Sequence, residues 1–405
     1  MPPAAATWGY GVHMTAAQLI WSEELLGYNF GPGHPMAPLR LELTMDLVRS
    51  LGLLQAPGLV VAEAEAVDED LLAAVHEPQY LAAVRAGATG VADPGRGIGT
   101  VDNPLFAAMH RASALIAGAS VAGARAVWTG AAKRAVNVAG GLHHAMAGTA
   151  SGFCIYNDCA LAIRWLLDQG AQRVLYIDID AHHGDGVEAA FWDDPRVVTI
   201  SVHQSGQTLF PGTGFAQDFG GPAAQGSAIN LPLPPDVSDG PWLRAIEAVV
   251  GPVVADFAPQ VIVSQHGADS HWRDPLTQMD ISVDAQRAAA ALIAGYAEEH
   301  SQGRWLATGG GGYDVAATVP RVWTHLVALV AGVDLSAETP TPASWREAIE
   351  ARGLGPAPTT MGERAVGEQR AWVDGYDPAD AVDRAIMATR NKVFPARGLE
   401  PMTAG

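Results

Sequence analysis

The sequence predicts an α/β fold, a single open domain whose mostly parallel central sheet is flanked by helices. Three observations predict it. Five short runs are rich in Val, Ile or Leu without polar alternation, as in strands buried on both faces. Helix-like segments lie between them, the alternation expected of a parallel sheet covered by helices. Ionisable residues cluster just after each run, and open α/β sheets bind ligands at the carboxyl ends of their strands. A chain of 405 residues that is 49% hydrophobic can bury a large core.

In chain order, "ASALIAGASVAGA" (112–124) is the most membrane-like stretch. It is short, built of small residues and closed by Arg125, so it reads as a buried helix and not as a span. "AVNVAG" (135–140) is the first strand-like run, and His143 and His144 follow it. "DCALAIRWLLDQG" (158–170) reads as a helix with Asp158 as its N-cap. "RVLYIDID" (173–180) delivers Asp178 and Asp180, with His182 just beyond. "RVVTISVH" (196–203) ends on His203, and "QVIVSQHGAD" (260–269) on Asp269. "DAQRAAAALIAGYAEEH" (284–300) is a second helix, with Asp284 as N-cap, and "RWLATGGGGY" (304–313) closes on Tyr313. Five strand ends thus bring ionisable side chains to one edge, the pattern of one site assembled from distant segments.

The formal net charge is −19. Such a surface repels phosphate backbones and argues against nucleic acid as a direct partner, while it attracts cationic ligands or peptides. Cys154 and Cys159 do not form a C-x-x-C pair, and a reducing cytoplasm fits them. The start "MPPAAATWGYGVHM" has no basic residue followed by an apolar run, so it does not read as a signal peptide, and no membrane partner is expected.

"YIDIDAHHGDG" (176–186) is the stretch richest in chemistry. Asp178, Asp180 and His182 alternate, so an extended backbone projects them to one side. Two carboxylates leaving an apolar strand together repel, and desolvation makes that costly. A cation resolves the conflict, and Asp and His ligands suit Zn²⁺ or another divalent ion of similar size. A further ligand must come from elsewhere, and Asp269 is the candidate. Ordinary turn chemistry accounts for Gly184 and Gly186 but not for acids at 178 and 180 inside an apolar strand.

Together these residues resemble the histone deacetylase family, and within it the bacterial acetoin-utilisation branch. The matching blocks are "NFGPGHPMAPLR" (29–40), "DNPLF" (102–106), "GGLHHA" (140–145), "SGFCIYND" (151–158), "YIDIDAHHGDGVEAAF" (176–191), "FPGTG" (210–214), "GADSHWRDPL" (267–276) and "GGGGYD" (309–314), in family order. The resemblance implies the arginase/deacetylase fold, with a catalytic domain over 1–332 and a C-terminal helical or irregular extension, 333–405, packed on it. It implies that Asp180, His182 and Asp269 bind Zn²⁺, with Fe²⁺ an alternative occupant. His144 would be the general base and His143 its electrostatic partner, oriented by Asp185 and Asp178 respectively. Tyr313 would donate to the substrate carbonyl. Gly152, Phe153, Phe210 and Leu276 match the walls of a tunnel for the acetyl-lysine stem. Asp102 matches a rim residue that holds the substrate backbone, although a cap for a helix starting near Pro104 is an equal reading. Arg40 matches a buried arginine behind the metal, beside an acetate exit. A structural K⁺ or Na⁺ would use Asp178, Asp180, His182, Ser201 and Val202, partly through backbone oxygens.

The expected activity is therefore zinc-dependent hydrolysis of the acetyl amide of lysine side chains in proteins, metabolic enzymes among them, in the cytoplasm. An amidohydrolase of small acetylated amines such as acetylpolyamines is the nearest rival. A catalytically dead acetyl-lysine binder and an arginase-like two-manganese enzyme are further ones. His266 and His271 read as packing or rim residues. His13, His34, His76, His110, His203 and His300 carry no role on the sequence alone.

Overall fold

The structure, a computed structural model, describes residues 17–367 and 370–402. The N-terminal stretch read for a leader, with His13, lies outside them.

The strands are β1 (Ala17–Ile20), β2 (Leu59–Ala62), β3 (Arg134–Asn137), β4 (Val174–Asp178), β5 (Val197–Gln204), β6 (Ala228–Leu233), β7 (Val261–Gln265) and β8 (Trp305–Thr308). They form one sheet in the order β2-β1-β3-β8-β7-β4-β5-β6, and every neighbouring pair is parallel. The helices are α1 (Leu39–Ser50), α2 (Glu69–Ala73), α3 (Pro78–Gly87), α4 (Met109–Thr129), α5 (Asp158–Asp168), α6 (Asp185–Phe191), α7 (Asp239–Phe257), α8 (Val283–His300), α9 (Val319–Val330), α10 (Ala343–Ala351) and α11 (Ala381–Val393). Every residue of β4, β5, β7 and β8 is buried, which is why these runs lack polar alternation. The stretch 112–124 lies inside α4, largely buried, and no helix among the described residues is long and apolar enough to cross a membrane.

The strand order explains how distant segments meet. After β3 the chain leaves a gap and builds β4, β5 and β6 outward. It then returns to insert β7 and β8 between β3 and β4. The carboxyl ends of β3, β8, β7 and β4 therefore lie side by side, and with them the loops that carry His143, Tyr313, Asp269 and Asp180.

Three strands escaped the sequence reading. β1 and β2 are four residues each, and β2 is an edge strand with Val60 and Val61 exposed. β6 contains Pro232, which cannot donate to a ladder and which the opposite edge position tolerates. Both predicted N-caps are displaced by one or two residues. Asn157 caps α5 through Ala160 N, and Ser282 caps α8 through Ala285 N. Asp158 instead accepts from Gly141 N, Leu142 N and Ser120 Oγ, so it braces the turn before the two histidines. Asp284 accepts from Glu363 N and Arg364 N. Nor does a helix begin near Pro104; α4 starts at Met109, so Asp102 caps nothing.

Beyond α9 the chain stays tied to the sheet and its helices. Trp345 Nε1 donates to Leu43 O at 2.9 Å, and Thr389 Oγ1 to Asn230 O at 2.6 Å. Arg244 on α7 donates to both oxygens of Asp383 on α11. Glu363 is the most charged of these ties. It accepts from His271 Nε2 at 2.7 Å, Arg321 Nη2 at 3.0 Å and Val283 N at 3.1 Å. Burial opposes its charge, but these donors outweigh it and hold its carboxyl down at about 2. A folded value below the ordinary one means that the carboxylate contributes stability above about pH 4.5 and loses it as pH falls towards 2. Glu363→Gln is expected to lower stability by about 2–3 kcal/mol near neutrality. The gap from wild type should close on acidification through that window, as read by denaturant unfolding at stepped pH. A gap independent of pH would show that the charge is not what counts.

Candidate active site

The site starts from a turn. Gly141, at φ +92°, bends the chain after β3 where an added Cβ would meet the Gly309 carbonyl. The Asp158 carboxylate holds the turn from below at 2.7 Å from Leu142 N. His143 and His144 emerge from it buried. His143 Nδ1 lies 2.7 Å from Asp178 Oδ2, and His144 Nδ1 lies 2.7 Å from Asp185 Oδ1. The two Nε2 atoms are 3.1 Å apart.

Proton counting assigns these rings. Each Nδ1 faces a carboxylate and carries a proton. Two lone pairs cannot share a 3.1 Å contact, so one Nε2 must donate to the other. The electrostatics say which. Desolvation disfavours charge on His143, but Asp178 and Asp180 outweigh it and raise it to about 9. Desolvation and the neighbouring charge of His143 push His144 down to about 4 despite Asp185. The charges around the pair favour His143 as the donating ring and leave His144 as the ring with a basic Nε2. Tyr176 OH also donates to Asp178 Oδ2, at 2.6 Å, and fixes that carboxylate.

Asp180, His182 and Asp269 converge, all buried, with a ligand atom from each within 4.8 Å of the others. His182 Nδ1 lies 3.0 Å from Asp180 Oδ1 and 3.1 Å from Asp269 Oδ2. The surroundings cradle the carboxylates. Gln265 Nε2 and Gly311 N donate to Asp180 Oδ2 at 2.7 and 2.9 Å, and Ala181 N to Asp269 Oδ1 at 2.9 Å. A Cβ on Gly267 or Gly311 would run into these carboxylates. Burial and the charge of Asp180 raise the Asp269 carboxyl to about 6. Two buried carboxylates and one imidazole, packed this closely, fit a divalent cation of the zinc type.

A cavity of about 250 Å³ opens over this cluster. It is lined by Asp102, His144, Gly152, Phe153, His182, Leu209, Phe210, Leu276 and Tyr313. All five residues read as substrate-binding are there, together with His144, His182 and Tyr313. Phe153 packs edge-on against Tyr313 at 5.7 Å, and Phe210 against His144 at 5.0 Å. Burial, reinforced by Asp269, raises the Tyr313 hydroxyl well above its ordinary value, so it remains a donor at any working pH. Arg40 is buried, donates to Gly310 O and Gly312 O, and stacks over Trp323. Asp178 stands opposite Ser201 in the β4–β5 ladder, beside Val202, with Ser201 Oγ 2.8 Å from His203 Nδ1.

Several residues here were not singled out from sequence. Leu209 joins the cavity wall. His34 accepts Met36 N on Nδ1, so its Nε2–H donates to Asp102 O at 3.1 Å, while its ring packs on Phe153 at 4.7 Å. Asp274 is the most consequential. Its two oxygens accept Leu276 N at 2.9 Å and Tyr313 N at 2.8 Å, so one carboxylate sets a wall residue and the tyrosine together. Asp274→Ala is expected to lower kcat roughly 10- to 100-fold through misplacement of Tyr313. Bound metal should be unchanged, and Asp274→Asn should recover part of the loss. The check is kcat beside metal content for both variants.

Residues 34–330 match the histone deacetylase domain. The chain belongs to the histone deacetylase family. It is 40% identical over 331 residues to the acetoin utilization protein AcuC of Bacillus subtilis (strain 168), covering 81% of this chain and 85% of that one. It is 36% identical over 318 residues to AcuC of Staphylococcus aureus (strain MRSA252), covering 78% and 81%. A solved structure described as a histone deacetylase homologue complexed with SAHA superposes with a TM-score of 0.78 at 27% identity, over 91% of this chain and 99% of that one. This member of the family is a deacetylase of the hydrolase class with the arginase/deacetylase fold, as the sequence resemblance implied.

Proposed function

We propose that this histone deacetylase family member removes the acetyl group from Nε-acetyl-lysine in proteins, with one Zn²⁺, or Fe²⁺ in its place, held by Asp180, His182 and Asp269. The observation that carries the reading is the cavity itself. Aromatic and apolar side chains wall it, which suits an aliphatic stem, and His144, His182 and Tyr313 line it where an amide would end.

A cation held there would supply Lewis acidity for water and carbonyl. The chain's own residues do the rest. His144, neutral and turned by Asp185, takes the proton of the attacking water on Nε2 and later returns it to the leaving amine. His143 stays charged beside it, held by Asp178, and favours negative charge building on the reacting centre. Tyr313 donates its hydroxyl proton to the carbonyl oxygen as that oxygen becomes an anion. Asp102, exposed beside the cavity, holds the substrate backbone, while Gly152, Phe153, Phe210 and Leu276 exclude water from the stem. Arg40 lines the path by which acetate leaves. Asp178, Asp180, His182, Ser201 and Val202 would hold a structural K⁺ or Na⁺. Similarity to acetoin utilization proteins supports metabolic enzymes in the cytoplasm as substrates.

The test has two parts. Acetyl-lysine peptides and acetylspermidine are compared by kcat/KM, and a preference for the polyamine would replace the protein-substrate reading. Tyr313→Phe keeps the ring and removes one donor, so kcat should fall about 10²–10³-fold while peptide affinity holds. A variant as fast as wild type would move the oxyanion role elsewhere. Wild-type protein that binds acetyl-lysine without turning over any acetylated amine would be a binder.

A further inference from the structure

Asp102 reaches the mouth of the cavity from a stretch of chain that is neither helix nor strand. The residue is exposed, and its carboxylate accepts no hydrogen bond among the described residues. A carboxylate that is free in front can be aimed only from behind, through its own main chain. On one side the hold is local: Asn103 N donates to Thr100 Oγ1 at 3.1 Å, and Gly99 N to Asn103 O at 2.9 Å. On the other it comes from 68 residues away, where the Nε2–H of His34 donates to Asp102 O at 3.1 Å. Among the described residues no other side chain bonds the main chain of Asp102.

His34 is itself wedged in place. Its ring centre lies 4.5 Å from that of Phe30 and 4.7 Å from that of Phe153. Its Nδ1 accepts Met36 N at 3.1 Å, which fixes the tautomer and puts the proton on Nε2. Burial lowers its pKa against the pull of Asp102, in keeping with a neutral ring.

The surface on which His34 rests is also held. Phe153 stands at φ +67°, in the left-handed region, which a bulky residue keeps only where its surroundings impose it. Buried Tyr28 supplies such a constraint. Its hydroxyl donates to Phe153 O at 2.7 Å and accepts Ile155 N at 3.1 Å. Tyr28 and His34 lie on one short segment ahead of α1, so that segment grips the wall at Phe153 and the rim at Asp102 together.

We infer that His34 is a positioning residue for peptide substrates: by tying the Asp102 carbonyl to the Phe153 wall, it aims the Asp102 carboxylate at the backbone flanking the acetylated lysine. This role rests on the one proposed for Asp102. It makes His34 a determinant of preference for polypeptides over small acetylated amines, because only a polypeptide brings backbone N–H groups to the mouth.

The test compares kcat/KM for an acetyl-lysine peptide and for N-acetylcadaverine, which has the same stem and no peptide backbone, on the full, metal-loaded chain. In His34→Asn the shorter side chain can still accept Met36 N but cannot reach the Asp102 carbonyl. The ratio of peptide to N-acetylcadaverine kcat/KM should fall about 5- to 10-fold, mainly through the KM of the peptide. A general loosening of the wall would lower both values and leave their ratio alone. In His34→Gln the amide nitrogen can take the place of Nε2–H, so most of the ratio should return. Asp102→Ala is the reference and should lower the ratio at least as far. An unchanged ratio in His34→Asn, beside a lowered one in Asp102→Ala, overturns the inference and leaves the role of Asp102 standing. A glutamine variant no better than asparagine overturns it too, since ring packing and not the bond to Asp102 would then be what counts. If Asp102→Ala leaves the ratio unchanged, the role of Asp102 falls and that of His34 with it.

Discussion

Asp180→Asn is expected to yield a chain that purifies with far less than one metal ion and has no measurable deacetylase activity. The substitution removes a formal charge from a cluster of two buried carboxylates and one imidazole. It also turns an acceptor into an amide. If Nδ2 takes the place of Oδ2, it opposes the donors Gln265 Nε2 and Gly311 N; if it takes the place of Oδ1, it opposes His182 N. Either orientation leaves like facing like, so the side chain cannot be accommodated by rotation. The cation then loses both attraction and a preformed ligand geometry. Metal content after gentle purification is the direct readout, with activity after zinc titration as the second. A variant that retains one tightly held ion per chain would remove Asp180 from the ligand set.

The strands of the site were legible because each is buried on both faces and so reads as an unbroken apolar run. β1, β2 and β6 were not, for the opposite reason. They are short or at the sheet margin, and Pro232 in β6 is tolerated only because no further strand needs its missing donor. The sequential position of a strand also says nothing of its neighbours. That β7 and β8 return between β3 and β4 depends on tertiary packing, and this insertion is what brings Asp269 and Tyr313 to His144.

The candidate ligand and acid–base residues were legible by type, because a carboxylate or imidazole at the end of an apolar strand is expensive without a purpose. Those that hold such residues were not. Asp158 was read as a helix cap, a common use of aspartate, yet its side chain turns back to Gly141 and Leu142. Asp274 lies in an ordinary-looking turn, and only the fold shows it gripping Leu276 and Tyr313. Its one signal was proximity, two residues before a wall position. His34 had none, since the backbone carbonyl it holds is 68 residues away in sequence.

The paired histidines carry the other large expected effect. His144→Ala should lower kcat by about 10²–10⁴-fold, with substrate affinity largely kept. The placement of three protons decides it. Asp178 and Asp185 each hold an Nδ1–H, and the 3.1 Å contact between the Nε2 atoms then needs exactly one more proton. His143 has it, because two carboxylates, Asp178 at 2.7 Å and Asp180 at 3.9 Å, stabilise its charge. His144, facing the cavity with one carboxylate behind it, is left with the lone pair. Only that ring can receive a proton without first losing one. Alanine at 144 removes the acceptor and leaves nothing in reach to replace it, so the deficit falls on the chemical step and not on binding. His143→Ala keeps the acceptor and removes a charge beside it, so its kcat should fall less. Single-turnover rates for both variants, at matched metal content, give the ranking. The reverse order would exchange the two roles, and near-normal turnover in His144→Ala would remove the base from position 144.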